Sequence, residues 1–268
     1  MTINVAIAER ARAGALLTAA ELDELATADV LSLGMLADEV RRLRVGDTVT
    51  YSRDAETRLT TLPEALADAV SAIRAAKAAR PGALIGFSLA DIIDRNWGAP
   101  TDVFRQLKAA GLDAIAEAPV DRFADAVTAL RAAQDAGVPV KCLSLQKPLS
   151  ETRTDYLVKL RGILERFPSI QTVAPLPREQ SIAVPTTGYD DVRAVALARL
   201  ALPSVRNIQV DWTQYGPKLA QVALTFGAND LDRVSTVDDE SLGKRRSSVE
   251  DVRRNIAAAG FTPVERTQ

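Results

Sequence analysis

Histidine is absent from this 268-residue chain, and cysteine occurs once. Without imidazole there is no histidine base, no Ser–His or Cys–His pair and no histidine metal ligand. One thiol forms no intramolecular disulfide and does not complete a zinc site of the usual Cys/His kind. Any chemistry falls to carboxylates, lysine, arginine, tyrosine, amides or a borrowed cofactor. No apolar run approaches the roughly 20 residues that a membrane helix needs, so no membrane partner is expected. The first 25 residues carry acids early and lack a basic-then-apolar signal layout, which leads us to expect a cytoplasmic protein. The formal net charge is -2, and no basic face stands out that would match a phosphate backbone. No nucleic-acid partner is expected.

What is present reads as an ordinary globular composition, 47% hydrophobic and 25% charged, enough for one large core or two small ones. Residues 18–44 read as helix, with Leu22, Leu25, Val30, Leu33, Leu36 and Val40 near a helical period. Thr27 and Asp29 would break or cap this stretch into two helices. Thr48 to Tyr51 alternates like a short strand. Pro63 sits at a first-turn position and opens a helix running to about Ala79. Beyond it, strand-length apolar runs alternate with amphipathic stretches. The strands are Ala83–Phe87, Ala114–Glu117, Val140–Leu145, Thr172–Pro175, Ile208–Trp212 and Val222–Phe226. The helices are 100–110, 121–136, 151–166 and 188–201, with Gly111 and Gly137 at helix ends and Pro139 following.

Continuous apolar strands separated by helices indicate parallel βα units. About seven of them predict an α/β fold, a (β/α) TIM-type barrel that is incomplete and preceded by N-terminal helices. No Gly-rich phosphate loop follows the first strand, which argues against a dinucleotide-binding sheet. With no long linker, residues 1–268 read as one domain: a helical segment over 1–45, then the barrel and C-terminal helix over 46–268.

Sites in barrels form at the C-terminal ends of strands. That singles out Ser88, Glu117, Gln146, Lys147, Arg178, Asp211, Gln214, Asn229 and Asp230. Surface solvation, loop capping or inter-strand hydrogen bonds are the plainer roles for the same residues. Lys147 and Arg178 would receive a carboxylate or phosphate if the strands they follow are neighbours. Asp211 and Asp230 would serve as acid and base only if burial or mutual repulsion moves their pKa values. The turn Phe226-Gly-Ala-Asn-Asp230 is either a substrate-end motif or simply a tight turn. Cys142, inside an apolar strand pattern, reads as a small core hydrophobe. Lys244-Arg-Arg-Ser-Ser248 reads as a solvated helix entrance capped by Ser247 or Ser248.

The segment Pro185-Thr-Thr-Gly-Tyr-Asp-Asp-Val-Arg193 with Ala198-Arg-Leu200 resembles the radical S-adenosylmethionine enzymes of the futalosine route to menaquinone. So do Gly216-Pro-Lys-Leu-Ala-Gln-Val-Ala-Leu224 and Phe226-Gly-Ala-Asn-Asp230, and the tail Ser248–Ile256 with Ala259–Arg266. Aminofutalosine synthase and dehypoxanthine futalosine cyclase are similar in pattern. The leading helices Ala28–Gly34 and Leu36–Arg42, the strand Gly46–Tyr51 and the helix Phe104–Asp113 fit the same family.

The resemblance implies a cysteine loop after the first strand, Cys-x-x-x-Cys-x-x-Cys, whose thiolates hold three irons of a cluster. Here Tyr51-Ser-Arg-Asp-Ala-Glu56 continues toward a helix instead. The Gly-rich, Glu-bearing turn that lies against S-adenosylmethionine in the family is replaced by Ala116-Glu-Ala-Pro-Val120. Ala118 and Pro119 restrict the close backbone approach that glycine permits. The family's His-containing strand ends become Leu145-Gln-Lys-Pro148 and Leu176-Pro-Arg-Glu179. We therefore expect no 4Fe–4S cluster, no S-adenosylmethionine and no radical activity. Three functions compete: a cluster-free relative that binds a futalosine-like nucleoside or assists a true radical enzyme as a homodimer or heterodimer, an independent lyase or isomerase using Lys147 or a carboxylate pair, and a non-catalytic interaction protein.

Overall fold

The computed structural model describes residues 3–53, 58–79, 82–179, 185–234 and 248–266. The chain forms two compact units, Met1–Asp54 with Lys147–Thr267, and Ala55–Gln146. The first unit opens with three helices, α1 (Val5–Arg12), α2 (Ala19–Thr27) and α3 (Val30–Val45), then strand β1 (Thr48–Arg53). Thr18 and Glu21 form a reciprocal capping box at the start of α2. Asp29 caps α3, its carboxylate accepting from the Ser32 N–H at 2.9 Å. The break expected at Thr27 and Asp29 is therefore present. Gly46 ends α3 at φ 70, a conformation costly for any residue with a Cβ.

The second unit carries β2 (Arg58–Leu59), α4 (Leu66–Ala79), β3 (Ile85–Ser88), α5 (Leu89–Asp94), α6 (Pro100–Ala110), β4 (Ala114–Pro119), a 3-10 turn at Val120–Arg122, α7 (Ala126–Asp135) and β5 (Leu143–Leu145). Its strands run parallel in the order β2-β3-β4-β5. Helix α6 shows why the period could be read: Val103, Phe104, Leu107 and Ala110 are buried, Pro100 starts the helix and Gly111 ends it in the left-handed region. The helix expected over 121–136 is shorter, because Asp125 caps α7 by accepting from the Thr128 N–H. The strand expected from Val140 is also shorter. Val140 makes only an isolated bridge to Ile115.

The chain then returns to the first unit with α8 (Arg153–Arg166), β6 (Thr172–Pro177), α9 (Gly188–Ala201), β7 (Asn207–Asp211), α10 (Trp212–Leu224), β8 (Asp230–Val234), α11 (Ser248–Ala258) and β9 (Thr262–Glu265). These strands and β1 form a parallel sheet in the order β6-β7-β8-β1-β9. Helix α9 is buried almost all round, from Asp191 through Ala201 apart from Arg193, as a helix apolar on every side must be. It packs against α3.

One strand assignment is overturned. Val222–Phe226 belongs to the end of α10 and the turn after it, and the true strand is β8. A short apolar run does not distinguish strand from buried helix. Here the run ends a helical piece that resumes at Pro217 after a break at Gly216 (φ 73), and the Asp211 cap holds only the turn before that break. The expected strand over Ile208–Trp212 ends at Asp211, and Trp212 begins α10. Lys244–Ser247 lies outside the described residues, so the helix entrance read there has no structural counterpart to set against it. Among the described residues, β9 pairs only with β1 at the sheet edge, and Pro263 stands opposite Val49.

Gly34, on α3, lies against the buried Phe226: a Cβ built there would sit 2.6 Å from the ring. Gly34→Ala should therefore destabilise the protein by about 1–3 kcal/mol through overpacking. Urea unfolding checks this; a midpoint equal to that of the parent protein would show that the ring moves aside without cost.

Candidate functional site

Register builds the site. In the first unit Gln209 and Thr50 both stand opposite Asp230, and Asp211 stands opposite Asp232. Because successive strand side chains point to opposite faces, Thr50 and Ser52, Gln209 and Asp211, and Asp230 and Asp232 share one face. Val49, Ile208, Val210 and Leu231 occupy the other, and all are buried. One face of β1, β7 and β8 is thus polar and the other apolar.

The polar face is a connected network. Asp230 is fully buried and accepts from Gln209 Nε2 (2.6 Å), Thr50 Oγ1 (2.5 Å) and Arg266 Nη1 (3.1 Å). Gln209 Oε1 accepts from Arg178 Nη2 at 3.3 Å. Arg178 also faces Asp211 at 3.4 Å, and Arg233 reaches the same Asp211 oxygen at 3.3 Å. The other Asp211 oxygen caps α10 through the Gln214 N–H, 2.9 Å away. Asp232 accepts from Ser52 Oγ at 2.5 Å and lies 3.7 Å from Arg266. Arg178, Arg233 and Arg266 thereby offset Asp211, Asp230 and Asp232, the pairing that buried charge requires. Burial pushes the Asp230 carboxyl above the ordinary aspartate range, and the Asp232 charge adds to this. Arg266, Thr50 and Gln209 pull it the other way.

Arg233 is unusual in its backbone. It adopts φ 57, in the left-handed region that non-glycine residues rarely occupy. Strain of this kind costs on the order of 1–3 kcal/mol and persists where surrounding structure holds it, commonly at functional sites. Arg233 and Arg266 are each about a third exposed (31% and 33%), whereas Arg178 and Asp211 are nearly closed off at 4% and 2%. The two outer arginines are the members that a ligand would meet first.

Of the residues expected from the sequence, the structure joins Arg178, Asp211 and Asp230 in one network. Gln214 flanks it, donating from its side chain to the Pro177 carbonyl at 2.8 Å, beside a 2.7 Å bond from Tyr215. Burial pushes the Tyr215 hydroxyl well above its ordinary pKa. Asn229 does a different job. Its side-chain oxygen accepts from Arg199 Nη2 (2.6 Å) and the Ile208 N–H (2.9 Å), and its amide donates to Asn207 (3.0 Å). Arg199 also donates to the Gly227 carbonyl at 2.8 Å, so the Phe226–Asp230 turn is held from behind. Lys147 is exposed, and Arg178 turns toward Asp211 and Gln209. Glu117 and Gln146 belong to the second unit. There Glu117 is buried opposite Ser88 in register, and the Gln146 N–H donates to Asp121 at 2.7 Å. Cys142 is buried at 4% exposure, in keeping with a core role.

Thr50, Ser52, Gln209, Asp232, Arg233 and Arg266 were not singled out by the sequence reading. For four of them a signal was present: polar residues at alternate positions in Thr-Val-Thr-Tyr-Ser, Asn-Ile-Gln-Val-Asp and Asp-Leu-Asp, each framed by apolar ones. Nothing in the sequence points to Arg266 or to the backbone of Arg233.

The Asp230 shift sets a pH dependence. A carboxyl whose folded pKa is raised binds its proton more tightly folded than unfolded, so its contribution is fullest below its ordinary pKa and is lost as pH rises. Relative to Asp230→Asn, wild-type stability should decline from about pH 4 upward. Urea unfolding of both proteins across the acid range measures this; a difference that grows with pH would reverse the assignment.

The comparisons with known proteins agree with this architecture. Residues 166–268 match the CofH/MqnC C-terminal region. A 5-amino-6-(D-ribitylamino)uracil–L-tyrosine 4-hydroxyphenyl transferase of Methanopyrus kandleri is 32% identical over 200 residues, 62% of this chain and 54% of that protein. Aminodeoxyfutalosine synthase of Thermus thermophilus is 29% identical over 198 residues, 62% and 53% of the two chains. The chain thus spans about half the length of the curated relatives it matches. Among solved structures, methylornithine synthase superposes with a TM-score of 0.70 at 14% identity, covering 96% of this chain and 97% of that one. That likeness bears out the α/β, TIM-type barrel class with N-terminal helices. By sequence, the chain is similar over about three fifths of its length to aminodeoxyfutalosine synthase, and residues 166–268 match the CofH/MqnC C-terminal region.

Proposed function

We propose that this chain is a cluster-free relative of those enzymes that binds a futalosine-like nucleoside on the polar face of β1, β7 and β8, without radical chemistry of its own. The observation that carries the reading is Arg233, a strained arginine held against Asp211 at the accessible end of a charge-balanced network. A ribosyl or ribityl arm presents hydroxyls that both donate and accept. Arg233 and Arg266, each about a third exposed, offer donors to such hydroxyls, and the carboxylates behind them, Asp211 and Asp232, hold the two guanidinium groups in place. The relatives' names point to ligands of this class, an aminodeoxyfutalosine and a ribitylaminouracil.

The donor set supports the cluster-free part. Three thiolates are needed to hold such a cluster, and the chain has one cysteine, buried beside β5. Among the described residues, no group of three or more cysteine, aspartate or glutamate side chains is arranged to hold a metal ion. Residues 54–57, next to the place where the family carries its cysteine loop, lie outside the described residues. A cofactor-free protein in or beside menaquinone biosynthesis fits this donor set, acting alone or alongside a radical enzyme. Among the described residues no nucleophile, base and oxyanion site come together on this face, so it is a binding surface in this reading.

Thermal unfolding tests the reading, with futalosine-pathway nucleosides, 5-amino-6-(D-ribitylamino)uracil and S-adenosylmethionine as separate additions. A nucleoside or the ribityl compound should stabilise the protein, by about 2.7 kcal/mol at a hundredfold excess over Kd, and S-adenosylmethionine should not. Arg233→Gly should weaken binding about tenfold or more, because glycine accepts this backbone and removes the guanidinium, while Arg178 remains to pair with Asp211. Stabilisation by S-adenosylmethionine would sink the cofactor-free claim. No response to any of the compounds would sink the binding claim and favour an interaction protein.

A further inference from the structure

We infer that the first unit carries a second binding site, for a phosphate group, in a cavity of about 440 Å³ lined by Arg44, Arg206, Ser204 and Gln171, where α3 ends and the α9–β7 connection turns. It lies at the N-terminal ends of β6 and β7. The polar network described above runs instead from Asp230 to the residues at the C-terminal ends of β6, β7 and β8.

The argument rests on charge that nothing in the protein balances. Arg199 is completely buried behind the cavity wall, and every partner it has is neutral: the carbonyls of Gly227, Val205 and Arg206, and the side-chain oxygen of Asn229. Arg44 donates to the carbonyls of Arg199 and Ala11. Arg206 is exposed at the rim. Among the described residues, no carboxylate pairs with Arg44, Arg199 or Arg206, whereas the neighbouring Arg41 and Arg42 both pair with Asp38. Arg41 and Arg44 add repulsion to the burial that lowers the Arg199 pKa to about 9.

The plainer explanation is helix capping. The C-terminus of α9 points into this region, and Arg44 and Arg161 both donate to its last carbonyls. A helix C-terminus supplies roughly half a negative charge. Arg161 has the charges of Glu165 and Glu21 near it; against Arg44, Arg199 and Arg206 the helix dipoles, with the end of α3 added, provide about one negative charge, which leaves an excess of about two positive charges. A phosphate dianion matches that excess. Two guanidinium groups on the cavity wall, with the Ser204 hydroxyl, are the donors its oxygens require. The volume exceeds that of a bare phosphate, so a phosphate monoester of a small polyol is the ligand class we assign.

Isothermal titration of the full chain at constant ionic strength tests this, with inorganic phosphate and glycerol 3-phosphate as the two probes. Arg206→Glu is the principal variant, since Arg206 is exposed and its side chain makes no contact that the fold needs. Ser204→Ala provides a second, milder variant. We expect glycerol 3-phosphate to bind and Arg206→Glu to weaken it by about tenfold or more. Binding of inorganic phosphate equal to that of the ester would assign the site to free phosphate. Absence of binding by both, or binding that Arg206→Glu leaves unchanged, would overturn the proposal. Binding of nucleosides at the β1–β7–β8 face is untouched by Arg206→Glu, so the two sites fail or survive separately.

Discussion

Placing Asp230 between Gln209 and Thr50 is the constraint from which the rest of the first unit follows. A carboxylate with no exposure is tolerated only when its oxygens are filled by donors, and the parallel register of β7, β8 and β1 supplies two from the neighbouring strands. Slipping that register by one residue would put Leu231 among the polar groups and Asp230 among the apolar ones. The alternation continues one step along each strand, so the same register also sets Asp211 beside Asp232 and Ser52 within reach of the latter. Arg178 and Arg266 then close the two ends of the row. Polar satisfaction and strand pairing specify the same arrangement, the consistency across levels that a well-specified fold requires.

Two of the buried arginines of this unit use the same side chain for different ends. Arg178 is buried against a carboxylate and an amide, so its charge is compensated within the network. Arg199 is buried against carbonyls, where its fork serves as a multi-point hydrogen-bond donor. It therefore holds the α9–β7 and α10–β8 connections together while leaving its charge for something else to balance. Lysine would not substitute for it, lacking the planar geometry to reach several acceptors at once.

Much of this fold was legible because local chemistry and tertiary packing agree. Asp29, Gly111 and the period of α6 each mark their boundaries in the chain itself. The failure at Val222–Phe226 arose where they diverge: the run is apolar enough for a strand, yet most of it lies in the helical piece that resumes at Pro217 after the break at Gly216. The site divides in the same way. Arg178 and Asp211 could be found from the rule that barrel sites lie at the C-terminal ends of strands, whereas Asp230 was picked beyond a strand read at Val222–Phe226 and in fact opens β8; Gln209 and Asp232 were within reach of the alternation rule. Asn229 looked like a site residue because it sits in a distinctive turn, yet its side chain is occupied by Arg199, a helix residue 30 positions earlier. Arg266 reaches Asp230 from 36 positions further along the chain, a pairing that no local pattern announces.

The proline at the sheet edge bears on how copies of this chain behave in company. Along its outer side a terminal strand offers the amides and carbonyls by which another extended chain can dock. Pro263 has no amide hydrogen to offer there, and the strand it interrupts is only four residues long, Thr262–Glu265. A visiting strand would find its ladder broken almost as soon as it began. Concentrated solutions of the protein are thereby guarded at this edge against growth into fibrils, a protection written into a single imino acid.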